Sequence, residues 1–134
     1  MYRHLAIAFA IAVLLAACGG VTDPSQNTQD SKPGSISPGN GNFVSIPFTA
    51  SKSGELSITI TTMTPTIPTS TYFEVGFGTN VSNSCQPIQV NQFSTVGVAA
   101  ISGYPITPGS YCAFLIDEGL FTTTENFTMV ISHP

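Results

Sequence analysis

From Phe43 onward, apolar and polar residues alternate along the chain with a period of two. The clearest case is Leu56, Ile58 and Ile60, which are separated from each other by serine and threonine. Successive side chains of a strand point to opposite faces, so this pattern predicts a strand with one buried face. Pro47 predicts that the strand containing it lies at a sheet edge. Similar patterns predict strands at 43–49, 72–77, 88–91, 95–101 and 127–132.

Residues 111–116 form a continuous apolar run, which predicts a central strand. Before it, the Thr-Pro-Gly-Ser segment at 107–110 predicts a type II turn in which Gly109 takes a positive φ. After it, the Asp-Glu-Gly segment at 117–119 predicts another turn. No segment after residue 17 has helical periodicity, so the sequence predicts an all-β fold, an antiparallel β-sandwich.

The beginning of the chain is apolar in a different way. A short basic segment at 1–4 precedes an unbroken apolar run at 5–17. The run is shorter than the roughly 20 apolar residues that cross a bilayer as a helix. It also lacks the polar face of a helix at the surface of a core. The pattern predicts a signal peptide at 1–17, which is removed on export.

The apolar run ends in Leu15-Ala16-Ala17-Cys18, which resembles the bacterial lipobox. That resemblance implies cleavage before Cys18, a thioether-linked diacylglycerol on its sulfur and a further acyl chain on the new amino group. Two or more acyl chains make membrane binding stable. Gly19 stands where inner-membrane lipoproteins of enteric-type bacteria tend to carry aspartate. The resemblance therefore favours the outer membrane, on its periplasmic or surface face.

Two regions are predicted to follow the signal peptide. Residues 18–42 are rich in serine, glycine, proline, asparagine and glutamine, and this composition predicts a flexible, disordered linker after the lipidated Cys18. Residues 43–134 carry the strand patterns and are long enough for one β-sandwich domain.

The charge of the chain excludes one class of partner. Charged residues make up 7% of the sequence, against about 25% in an ordinary globular domain. After residue 17, Lys32 and Lys52 are the only basic residues apart from histidine, and seven carboxylates oppose them. Nucleic-acid binding requires a basic surface, so the sequence predicts none. The expected partners are the membrane, reached through the lipid, and a protein or glycan.

Two cysteines remain after lipidation, Cys85 and Cys112. An even pair in an exported chain predicts a disulfide. A metal site is the alternative, but no histidine or further cysteine lies at zinc-ligand spacing. The sequence therefore predicts a Cys85–Cys112 disulfide, with neither a metal site nor a cofactor.

Three segments of the folded part carry a family resemblance: Phe-Thr-Ala at 48–50, Ser-Gly-Glu-Leu-Ser-Ile-Thr-Ile at 53–60 and Pro-Gly-Ser-Tyr-Cys-Ala-Phe at 108–114. They resemble bacterial pre-peptidase C-terminal domains, jelly-roll-like β-sandwiches found on secreted enzymes and small lipoproteins. The resemblance covers 43–134 and implies a jelly-roll-like sandwich. The acidic Asp-x-Asp-Leu-Tyr segment common in that family is replaced here by Thr-Tyr-Phe-Glu-Val at 71–75. The resemblance therefore brings no calcium or ligand role to that segment.

The residues available for catalysis are few. His133 is the only histidine after residue 17, and its place beside the last residue predicts a frayed side chain unable to serve a Ser-His-Asp triad. Asp117 and Glu118 are expected to form a turn in which aspartate accepts backbone hydrogen bonds, although calcium binding there stays open. Glu74 is expected to face solvent. Tyr72 and Tyr104 are the only candidate aromatic platforms for a sugar.

These observations leave three function hypotheses. The first is a lipid-anchored envelope protein whose sandwich is a non-catalytic binding module, with no catalytic residue of its own. The second is a structural subunit that assembles through exposed strand edges. The third is a carboxylate-dependent hydrolase, which the scarcity of histidine and acidic motifs disfavours.

Overall fold

Residues 23–134, which the computed structural model describes, form eight strands after a short 3-10 helix at Pro24–Gln26. The predicted signal peptide, Cys18 and Gly19 lie outside the described residues. Within 23–134, no helix has the length and apolar character required to cross a membrane. The strands are β1 (Thr28–Ile36), β2 (Asn42–Ala50), β3 (Gly54–Thr64), β4 (Phe73–Val81), β5 (Ser84–Ser94), β6 (Ala99–Ile106), β7 (Gly109–Asp117) and β8 (Glu125–His133).

The strands form two antiparallel sheets of four strands each. The first sheet has the order β1-β8-β3-β6, and the second has the order β2-β7-β4-β5. Eight strands arranged in this way in two packed sheets make a jelly roll. The predicted all-β, jelly-roll-like sandwich is therefore confirmed.

The core between the sheets follows the alternation in the sequence. Leu56, Ile58 and Ile60 of β3 are at most 1% exposed, and the Phe73, Val75 and Phe77 side chains of β4 are fully buried. The central position predicted for residues 111–116 is also confirmed, because β7 lies between β2 and β4. Its outward-facing Phe114 is buried beneath the ring of Phe43, whose centroid lies 5.3 Å away.

The predicted disulfide joins Cys85 of β5 to Cys112 of β7, with their Cα atoms 5.8 Å apart. Strand β4 separates these two strands in the sheet, and its Gly78 is the register partner of Cys112. A Cβ atom on Gly78 would clash with the carbonyl group of Gln86. Glycine at this position therefore lets β5 approach β4 closely beside the disulfide.

The prediction of a flexible linker at 18–42 is wrong for residues 28–36. Residues 28–36 form β1, which pairs with β8 along all nine of its residues. The positions of β1 that turn inward include Asp30, Lys32 and Gly34, so the strand has no apolar alternation. The Phe127 ring covers Gly34 from the neighbouring strand, and Ile36 is 1% exposed. The folded part therefore begins well before residue 43.

The frayed end predicted for His133 is also wrong. β8 lies between β1 and β3, so its last residues are paired on both sides, and His133 is only 7% exposed. The imidazole packs against Phe48 with a centroid distance of 5.3 Å, and its Nε2 lies 3.7 Å from Oδ2 of Asp30. The carbonyl of Pro134 accepts a hydrogen bond from the Ser51 N–H.

Three local predictions change as well. β6 begins at Ala99, because residues 95–98 form a turn in which Gly97 has a φ of 82°. Gly109 does not take a positive φ and begins β7. Tyr104 lies inside β6, half-buried in a T-shaped contact with Phe77, so it offers no exposed platform for a sugar.

The edges of the sheets share one feature. Each of the four edge strands contains a proline, namely Pro33, Pro47, Pro87 and Pro105, whereas the four central strands contain none. The edge position predicted from Pro47 is therefore confirmed. Proline cannot donate a ladder hydrogen bond, so each edge is interrupted as a template for another strand.

Replacing Ile36 by alanine tests the early start of the fold. Since Ile36 is buried in the core at the end of β1, we expect Ile36→Ala to lower the free energy of unfolding by about 2–5 kcal/mol in urea titrations. The matched control is Ile88→Ala, because Ile88 is 46% exposed on an edge strand and should cost less than about 0.5 kcal/mol. Equal costs for the two variants would show that 28–36 is a linker.

Candidate functional site

Four loops meet at one end of the sandwich, which we call the loop end. They are 37–41, 65–72, 95–98 and 118–124, and they join β1 to β2, β3 to β4, β5 to β6 and β7 to β8. The register places the end of β3 beside the start of β8, and the end of β7 beside the start of β4. The turns at 51–53, 82–83 and 107–108 lie at the opposite end.

Asp117 organises the loop end from the last position of β7. Its side chain is fully buried, and Oδ1 accepts hydrogen bonds from the N–H groups of Gly119, Leu120 and Phe121 at 2.9–3.2 Å. Oδ2 accepts the N–H of Gly39 at 2.7 Å, so the same carboxylate also holds the 37–41 loop. The expectation that Asp117 accepts backbone hydrogen bonds is confirmed.

The Asp117 and Glu118 side chains have different surroundings although they are neighbours in sequence. Asp117 is buried, whereas Glu118 is exposed. The Asp117 carboxylate already accepts four backbone N–H groups, which leaves it little capacity to bind calcium. Within residues 23–134, no group of three or more histidine, cysteine, aspartate or glutamate side chains is placed to hold a metal ion.

Two clefts flank the 65–72 loop and share its Thr66, Ile67, Pro68 and Thr71. The first, which we call the Val96 cleft, has a volume of about 300 Å³ and lies between this loop and the 95–98 turn. The second, the Glu125 cleft, has a volume of about 330 Å³ and lies between the same loop and 120–125. Both are large enough to hold a small ligand or a side chain of a partner.

The Glu125 cleft combines apolar walls with a buried carboxylate. Ile67, Leu120 and Phe121 line it, together with prolines and threonines of the same loops. Glu125 begins β8 and is only 3% exposed. Its Oε1 accepts a hydrogen bond from the Thr123 hydroxyl at 3.2 Å, whereas Oε2 is buried without a hydrogen-bond donor among the described residues. Glu125 was not among the candidate residues predicted from the sequence.

Exposed aromatic residues lie next to the clefts. Tyr72, one of the two candidate platforms, is 45% exposed, and its ring makes a T-shaped contact with Phe93 at a centroid distance of 5.9 Å. Phe93 is 74% exposed near the end of β5. A pair of adjacent exposed aromatic side chains is typical of a contact surface. Phe93 was not among the predicted aromatic platforms, because it lies outside the strand predicted at 88–91.

The Glu74 side chain is less exposed than predicted, although it lies on an outward-facing position. It is half-buried on the outer face of the second sheet. Desolvation raises the pKa of Glu74, and repulsion from Glu118 raises it further, while a hydrogen bond with Gln92 acts in the opposite direction. A carboxyl group with a raised pKa is the kind that acid catalysis uses, but the buried Asp117 cannot serve as its partner because backbone N–H groups occupy its oxygens.

The chain matches no protein-family model and no curated protein. The resemblances to the lipobox and to pre-peptidase C-terminal domains therefore rest on the residues quoted for them.

Replacing Asp117 by asparagine tests its role at the loop end. The amide can accept hydrogen bonds through one oxygen only, so its NH₂ group would face at least one of the four backbone donors. We expect Asp117→Asn to lower the free energy of unfolding by at least about 2 kcal/mol in urea titrations. Glu118→Gln is the control and should change it by less than about 0.5 kcal/mol. If both variants are equally stable, the carboxylate does not hold the loops.

Proposed function

We propose that this protein is a lipid-anchored protein of the bacterial cell envelope whose β-sandwich is a non-catalytic binding module for a protein or glycan partner. The observation that carries the proposal is the loop end, where two clefts and an exposed aromatic pair lie side by side. The lipobox-like Leu15-Ala16-Ala17-Cys18 supports the anchor, and the disulfide agrees with export to an oxidising compartment.

The path of β1 gives the proposal an orientation. Thr28 at the start of β1 pairs with His133, and Ile36 at its end pairs with Glu125 in the loop end. A chain that leads from a lipid on Cys18 to Thr28 therefore enters the sandwich at the end opposite the clefts. Ten residues of extended chain span at most about 35 Å. A lipid on Cys18 would thus hold the sandwich near the membrane, with its clefts facing away from it.

The carboxylates and the histidine that a hydrolase would need already make other contacts. Asp117 holds two loops, and His133 is packed against Phe48. The nearest carboxylate to His133, Asp30, lies 3.2 Å from Nζ of Lys32. Glu74 is accompanied only by Glu118 as a charged neighbour that shifts its pKa. These contacts favour binding over catalysis.

The anchor is tested by replacing Cys18 with alanine in a bacterial host. We expect the natural protein to take up labelled fatty acid and to fractionate with the outer membrane. Cys18→Ala should lose both the label and the membrane association, since the lipid is the only proposed anchor. Labelled, membrane-bound Cys18→Ala protein would contradict the proposal.

The binding function is tested with two matched surface variants. Leu120 lies in the Glu125 cleft and is 53% exposed, and Val81 is 54% exposed at the opposite end of the sandwich. An aspartate at either position leaves the core intact. We expect Leu120→Asp to reduce capture of the envelope partner at least tenfold by cross-linking and pull-down, and Val81→Asp to leave it unchanged.

Equal capture by Leu120→Asp and the natural protein would contradict binding through the loop end. Turnover of an ester, peptide or glycoside substrate that Glu74→Gln abolishes would contradict the non-catalytic part of the proposal.

A further inference from the structure

The Glu125 cleft holds a carboxylate whose surroundings do not compensate its charge. Its side chain is 3% exposed, and Oε2 receives no hydrogen bond from residues 23–134. A buried carboxylate is unfavourable unless ion pairing and hydrogen bonds replace its lost hydration. The single hydrogen bond that the neutral Thr123 hydroxyl donates to Oε1 replaces only a small part of the lost hydration.

No basic residue of the described chain reaches this carboxylate. Lys32 forms its ion pair with Asp30 on β1, at a distance of 3.2 Å. Lys52 lies in the turn between β2 and β3, at the end of the sandwich opposite the cleft. Glu125 therefore has no cationic partner among residues 23–134.

The walls of the cleft limit which cation fits beside Glu125. A calcium ion takes six to eight oxygen ligands, whereas Glu125 belongs to no cluster of three acidic or other metal-binding side chains in 23–134. Ile67, Leu120 and Phe121 instead offer apolar surface along a cleft of about 330 Å³. Such walls match an aliphatic stem, with the charge at its far end.

We propose that the Glu125 cleft binds a primary ammonium group on an aliphatic stem, with the ammonium paired to Glu125 and the stem packed along Ile67 and Phe121. A lysine side chain of a protein partner and a free alkyl diamine both carry this chemistry. The inference rests on the proposed binding function and gives the chemistry of the group that the loop end receives.

The test titrates the folded protein with Nα-acetyl-lysine amide, 1,5-diaminopentane and Nα-acetyl-norleucine amide, which lacks the ammonium group. Binding is followed by calorimetry and by amide chemical shifts. We expect the norleucine probe to bind at least tenfold more weakly than the lysine probe. The shifts should change at Ile67, Thr123 and Glu125 and stay constant at Ser53, at the opposite end. Tighter binding of the diamine would identify a free amine as the source, and tighter binding of the lysine probe would identify a protein side chain.

Glu125→Gln should weaken the binding of both amines at least tenfold, whereas Glu118→Gln, which removes an exposed carboxylate from the same loop, should leave it within twofold. If Glu125→Gln does not fold, the comparison of the lysine and norleucine probes on the natural protein decides. Equal affinity for these two probes, or shifts away from the cleft, would overturn the proposal. If that happens while Leu120→Asp still reduces partner capture at least tenfold, the binding function stands and only the ligand chemistry is wrong.

Discussion

The loop end depends on the buried carboxylate of Asp117. Four backbone N–H groups converge on it, one from the 37–41 loop and three from the residues that follow β7. These loops connect β1 to β2 and β7 to β8, so the carboxylate ties both sheets together where the chain passes between them. Leu120 and Phe121, which it holds by their N–H groups, also line the Glu125 cleft. Asp117 thus acts on the candidate site by positioning its wall.

The edges of the sandwich are protected against pairing with other strands, which favours the loop end as the proposed binding surface. An open jelly roll leaves four edge strands, and unprotected edges pair with other chains. Here every edge strand contains a proline, and the edge strand β1 turns Asp30 and Lys32 inward. These features oppose assembly through strand edges, which was the basis of the structural-subunit hypothesis. The loop end has no such protection, and Phe93 beside it is 74% exposed.

The parts of the fold that sequence could predict are those in which apolar residues alternate. β3 and β4 follow that rule, and the even number of cysteines after Cys18, together with the expectation of export, predicted the disulfide. β1 was missed because its inward positions hold Asp30, Lys32 and Gly34, and Gly34 is covered by the Phe127 ring of another strand, a contact that no local pattern reveals. The cleft was missed for a different reason. Extending the alternation of β8 from Phe127 back by two residues places Glu125 on the buried face, and extending it forward does the same for His133. The alternation of β8 therefore indicated burial of both residues. Charged residues and residues near a chain end are usually exposed, and the prediction followed that tendency instead.

Two buried carboxylates at the same end of the sandwich differ in the number of hydrogen bonds that they accept. This difference indicates which of them has a structural role and which is a candidate for binding a ligand. Asp117 accepts a full set of backbone donors, so its burial is explained by the loops that it holds. Glu125 accepts one neutral hydroxyl, so nothing in the described fold explains why a charge is kept there. Because an apolar or amide side chain could begin β8 without that cost, a carboxylate that remains uncompensated argues for a ligand. The register of β1 places this carboxylate at the end of the sandwich opposite Thr28, which is the end that the proposed lipid-anchored module would present to a partner.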